Sequence, residues 1–132
     1  MGPARPRRRT DEGSAVVEFV LVVVLLCVLV LAVLQLGVAL HIRNTVLDAA
    51  AEGARFGALA DNAPADGVRR TRELISDAIG PAYAEQVSAS TGTWMGHPAI
   101  TVTVRTTLPV IGLLGVPGGL EVQGHAAIEI LR

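Results

Sequence analysis

From Phe19 to Leu40 the chain runs without a charged residue, with Gln35 and Gly37 interrupting an otherwise apolar stretch. At about 1.5 Å rise per residue, a helix over this run reaches roughly 33 Å, the thickness of a bilayer's hydrocarbon core. In lipid the backbone must satisfy its own polar groups within the segment, so one transmembrane helix is the default reading. With 132 residues in all, that leaves room for a single span and one small extramembrane domain.

Arginine placement orients the span. Arg5, Arg7, Arg8 and Arg9 precede it, offset by Asp11 and Glu12, whereas the distal flank offers Arg43 and the usually neutral His41. The excess of arginine on the N-terminal side predicts a cytoplasmic N-terminus, a cytoplasmic-membrane location and an exported C-terminal half. The formal net charge of -1 gives no electrostatic reason to bind nucleic acid. Cys27 is the only cysteine, which excludes an intramolecular disulfide or a cysteine-based metal cluster and leaves it an apolar helix residue. The apolar run also exceeds the 7 to 15 residues of an ordinary secretory signal. Ala49 and Ala51 imitate a cleavage site only far beyond it, in an alanine-rich helical stretch, so a retained anchor is expected.

At the cytoplasmic edge of the run the chain reads Gly13-Ser14-Ala15-Val16-Val17-Glu18-Phe19. An ionised carboxylate costs roughly 2.5 kcal/mol or more at mid-bilayer, so Glu18 requires an interfacial position, a partner or a proton. Glycine, then an acidic residue five places on, then an aromatic residue, all behind a basic leader, resembles the processing motif of type IV prepilins and pseudopilins. That resemblance implies a prepilin peptidase as a partner, cutting between Gly13 and Ser14 and leaving the apolar helix on the mature protein. Ser14 stands where many members carry phenylalanine. The new amine of Ser14 would lie one helical turn from Glu18, or meet it across two subunits, which makes Glu18 and Phe19 candidate assembly residues. Glu18-Phe19 together with Ala49-Ala50-Ala51-Glu52-Gly53-Ala54-Arg55-Phe56-Gly57 is similar to the TadE-like family. Members are minor pseudopilins or envelope components of tight-adherence pilus machinery. The family's early membrane proline is missing, with Val23 and Val24 in that neighbourhood, so a straighter helix is expected.

The helical pattern continues past the span through Val46, Leu47, Ala50, Ala54 and Leu59 to about Ala60. A helix over 14–60 would be roughly 70 Å long, too long to lie wholly in a bilayer. Ala50, Gly53, Ala54 and Gly57 permit close helix contact, either with the chain's own domain or with neighbouring subunits. Glu52 and Arg55 are spaced for a local ion pair. Asp61 to Gly67 breaks the pattern, and Asp66 is expected to cap a second helix carrying Val68, Leu74, Ile75, Ala78 and Ile79 as its apolar stripe, stopped by Gly80-Pro81. Its Arg69, Arg70 and Arg72 read as a solvated face.

From Gln86 the period becomes two. Val87, Ala89 and Thr91 outline a first strand, with a connection expected over 92–98 that contains Trp94. Ile100, Val102, Val104 and Thr106 form the buried row of a second strand, and Leu120, Val122, Ala126, Ile128 and Ile130 that of a third, bent at Gly124. The stretch 108–119 reads as a loop facing a partner or covering a sheet edge. The expected fold is α+β and pilin-like: a basic leader over 1–13, a long transmembrane and extended helix over 14–60, and an exported domain over 61–132. That domain holds one short helix and a three-stranded antiparallel sheet.

Nothing in the pattern gathers catalytic groups. His41, His97 and His125 have no metal-ligand spacing, Ser76, Ser88 and Ser90 lack a base arrangement, and the glycines over 112–119 match no phosphate fingerprint. A non-enzymatic chain without cofactor or metal is expected. The resemblance implies a minor pseudopilin supporting Tad/Flp-type filament biogenesis. Its partners would be other pseudopilins or a Flp-type pilin, inner-membrane platform proteins and the lipid bilayer. A different reading is an uncleaved single-span envelope protein whose exported domain is a protein-binding module. A secreted ligand binder would require removal of the whole apolar segment.

Overall fold

A computed structural model describes Gly2 and residues 7–108 and 116–130. Helix α1 occupies Arg7–Gly57 and helix α2 Pro64–Ala78. A 3-10 turn at Pro81–Ala84 leads into strands β1 (Gln86–Trp94), β2 (His97–Leu108) and β3 (Val116–Ala127). The chain divides into two compact units, Met1–Leu36 and Gly37–Arg132.

The first unit is the apolar part of α1. It is long and apolar enough to cross a membrane, and none of its most apolar window is buried. Large side chains point outward all along it, from Phe19 (69% exposed) to Leu36 (61%). In water such a surface would drive association, whereas in lipid it is the ordinary exterior of a helix.

The second unit is the expected α+β body. Its sheet has the order β1-β2-β3, antiparallel throughout. Ile100, Val102, Val104 and Thr106 of β2 all face inward, as their alternation predicts, and Val87, Leu120 and Val122 extend the same face onto the neighbouring strands. The core is closed by Ile42, Val46, Ala50 and Ala54 of α1, by Ala58 just past its end and by Ile75 of α2. Tyr83, half-buried, packs against it.

Local chemistry moves several boundaries away from the sequence pattern. α2 starts at Pro64, whose fixed φ suits the first helical position, and the residue before it, Ala63, is the N-cap. Asp66 is therefore not the cap but the third helical residue, accepting the Ala63 N–H at 2.8 Å. Thr71 and Gly67 of α2 are buried, while Ala78, expected in the apolar stripe, is exposed. The stop at Gly80 holds: its φ of 111° lies in the left-handed region, and its N–H reaches the Ile75 carbonyl at 3.2 Å.

The connection expected over 92–98 shrinks to two residues. Met95 and Gly96 both have positive φ (50° and 79°), the signature of a type I′ hairpin turn, so Gly92, Thr93 and Trp94 stay in β1 and pair with Ala99, Pro98 and His97. Of the expected third row, Ala126 stays within β3, Ile128 lies just past it and half-buried, and Ile130 is 69% exposed. Gly124 is no bend; it remains paired with Val102 inside the strand. Residues 109–115 of the expected loop lie outside the described residues, and Val116–Gly119 belong to β3.

Candidate assembly surfaces on the first helix

The residues singled out in the sequence fall in two groups on α1. Gly13, Ser14, Glu18 and Phe19 belong to the first unit. All four are helical and exposed. The Gly13–Ser14 bond thus lies inside α1, past its first turn rather than at its start. A glycine in a helix interior weakens it by about 1 kcal/mol relative to alanine, so the helix is locally softest at this bond. Glu18 forms no ion pair among the described residues and shares its exposed surroundings with Val16, Val17 and Phe19.

The second group, Ala50, Gly53, Ala54 and Gly57, is buried in the second unit. Two rows of four-residue spacing run down this part of α1. Ile42, Val46, Ala50 and Ala54 form one, continued by Ala58 just past the helix end; Ala49, Gly53 and Gly57 form the other. The first row meets the sheet. A Cβ on Gly124 would collide with the Ala50 backbone, so only glycine lets β3 approach α1 this closely. Farther along, the Glu129 N–H donates to the Ala58 carbonyl at 2.9 Å.

The second row meets α2. A Cβ on Gly53 would strike the Thr71 hydroxyl and come within 2.7 Å of the Gly67 carbonyl, and a Cβ on Gly67 would lie 2.6 Å from the Gly53 carbonyl. The two helices therefore touch backbone to backbone. Thr71, fully buried, satisfies its hydroxyl by donating to the Gly67 carbonyl at 2.8 Å, with the Ala49 carbonyl 3.4 Å away. Gly67 and Thr71 were not distinguished by apolar periodicity, because neither is apolar. The readable signal is the shared four-residue spacing of small residues, Gly53 with Gly57 and Gly67 with Thr71. The small residues of α1 thus serve contact within the chain.

Elsewhere the polar groups are arranged singly. His41 is exposed on α1 and His97 is exposed at the start of β2. His125 is half-buried on β3, its Nδ1 2.8 Å from Thr101 Oγ1 and its ring stacked on Trp94 with centroids 5.5 Å apart. The described residues contain no group of three or more metal-ligating side chains. Arg69 pairs with Asp66, Arg70 with Glu73, and Arg105 with Glu121 across the outer face of the sheet. Glu52 and Arg55 do not form the local pair their spacing allows.

The described residues comprise a long N-terminal helix, a second short helix and a three-stranded antiparallel sheet. Residues 13–55 match the family model described as TadE-like protein. That family is one of pilus-assembly components. No curated protein and no solved structure matches the chain.

Proposed function

We propose that the chain is a minor pseudopilin, held in the cytoplasmic membrane by α1 with its N-terminus in the cytoplasm, that supports assembly of a Tad/Flp-type filament. The observation that carries this reading is the TadE-like match, which begins on Gly13 and runs through the apolar span into the packed part of α1. A prepilin peptidase would cut between Gly13 and Ser14. The glycine lowers the cost of unwinding α1 there, and only the short stretch from Arg7 to Gly13 must open. The freed Ser14 amine and the exposed Glu18 carboxylate would then form a charge-assisted contact with a neighbouring pilin-like subunit, since pairing offsets the desolvation of Glu18 beside lipid. Exposed Phe19 would pack beside that contact, and platform proteins of the membrane would receive the helix.

The continuity of α1 through Gly13 favours a second reading, an uncleaved single-span protein whose exported body binds a protein partner. One measurement separates them: intact mass and N-terminal peptide mapping of the membrane-resident chain, in cells with an active prepilin peptidase. The pseudopilin reading expects a mature chain starting at Ser14 and loss of that species in Gly13→Ala. Persistence of Met1 in the wild type would overturn it. Glu18→Gln is expected to insert normally and to lower recovery of the chain with other pilin-like subunits several-fold.

A further inference from the structure

The middle of the outer face of the sheet is made of Ser88, Ser90, Thr101, Thr103 and Gln123. Each of these side chains both donates and accepts hydrogen bonds, and none carries a charge. Around Thr103 the face is concave. The hollow has a volume of about 400 Å³ and is lined by Gln86, Ser88, Thr103 and Gln123, with Arg105 and Glu121 beside them, a size at the lower end of the roughly 300–1,000 Å³ of ligand clefts. Arg105 and Glu121 pair at 2.9 Å and offset each other's charge, while Glu85 at the rim forms no ion pair among the described residues. The hollow therefore disfavours anions, and one unpaired carboxylate is no cation site.

Trp94 adds an independent observation on the same face. It is the only tryptophan of the chain, it is 41% exposed, and its indole is stacked on His125 with the ring planes 6° apart. Because β2 lies between β1 and β3, the indole has to reach across Ala99, which belongs to the outward row of β2 and yet is 1% exposed. His125 is held in turn by Thr101 Oγ1 at 2.8 Å. The indole is thus fixed in orientation while part of its surface stays open to solvent. His125 beneath it is one outward position along β3 from Gln123, about 7 Å at the rise of a strand.

We propose that this face binds a neutral oligosaccharide, the indole of Trp94 receiving the C–H face of one sugar ring and the hollow around Thr103 hydrogen-bonding the hydroxyls of the next. The chemistry of the face selects this class. A protein interface has an apolar core and a polyanion needs unpaired cations, and the middle of this face offers neither. Sugar hydroxyls, which each donate and accept, match Ser88, Thr103 and the Gln123 amide, and the C–H bonds of a pyranose pack on an aromatic plane. An indole already fixed in orientation loses little freedom when such a ring settles on it. The site lies wholly in the second unit, and it does not depend on the fate of the Gly13–Ser14 bond.

The test uses the full chain in a detergent without a sugar headgroup, with Trp94 emission as the readout. Maltotriose, cellotriose and N-acetylchitotriose are titrated as neutral probes and trigalacturonate as the anionic one. At least one neutral trisaccharide is expected to shift the emission saturably, and trigalacturonate to bind several-fold more weakly. Gln123→Ala and Thr103→Val should each weaken binding of that neutral sugar several-fold with the strand signal in circular dichroism unchanged, whereas Arg72→Ala on α2 should leave it as it was. No saturable response to any neutral probe would overturn the proposal. Trigalacturonate binding as tightly as the neutral sugars, or undiminished affinity in both Gln123→Ala and Thr103→Val, would overturn it as well.

Discussion

Between Val16 and Leu40 helix α1 turns large side chains outward, Phe19 and Leu25 being 69% and 68% exposed, whereas from Ala49 to Gly57 it buries Ala49, Ala50, Gly53, Ala54 and Gly57. One continuous helix thus follows two packing rules. In the first stretch the exposed side chains meet no packing partner that would limit their size among the described residues. In the second, size is limited by backbones: that of Gly67 on α2 limits Gly53 and Gly57, and that of Ala50 on α1 limits Gly124 of β3. The difference teaches that helical propensity and apolarity alone do not distinguish an anchor from a scaffold. The volume of the side chains does.

The largest expected effect tests the scaffold half. Gly53→Leu places a side chain where the Gly67 carbonyl and Thr71 already sit, and should destabilise the α+β body by about 3 kcal/mol. Thermal unfolding of the detergent-solubilised full chain, followed by circular dichroism of its strand signal, measures this. Val24→Leu, in the exposed stretch, should leave the transition unmoved. If both behaved alike, the contrast between the halves would collapse.

Next comes the anchor half. Val28→Lys puts a cation in the middle of the apolar run and should cost about 2.5–3.5 kcal/mol of insertion. The fraction of the chain resisting alkaline extraction from membranes should drop, while Leu59→Lys, in the exposed segment after α1, should not change it. Equal extraction of the two variants would remove the lipid-facing assignment.

The smallest effect sharpens the α1–α2 contact. Thr71→Val keeps the shape and removes the hydroxyl that donates to Gly67. A loss of about 1 kcal/mol is expected from the denaturant midpoint. A loss comparable with that of Gly53→Leu would mean that the hydrogen bond, rather than close backbone approach, dominates the contact.

The strands were the most legible part of the sequence. β2 buries one face, so Ile100, Val102, Val104 and Thr106 announce it by simple alternation. The apolar length of α1 was equally plain. Contacts made by absence of a side chain were harder to read. Gly67 looks like turn chemistry beside Asp66, and Gly124 like a bend. Each is glycine because a backbone distant in sequence occupies the space of its Cβ, and nothing local records that. The hairpin turn was also hidden, since Met95 is not a residue that favours positive φ. Of the candidate site, Gly13 to Phe19 was visible as a motif. The inward placement of Ala50 to Gly57 needed the partners across the fold.

The ties between α1 and the end of β3 have a kinetic consequence. The Ala60 N–H is met by the Glu129 carboxylate across 69 residues of chain, and Gly124 of β3 lies against the Ala50 backbone. A chain made from its N-terminus therefore carries the sheet-facing side of α1 around Ala50 without its β3 cover until the last part of its synthesis, although α2 can already cover the Gly53 side. Such non-local closure is slow, because the loop entropy is spent before the contacts form. Until β3 arrives, the half-made body is a sticky nascent species, so its rate of completion sets how long that side of α1 stays open to wrong partners.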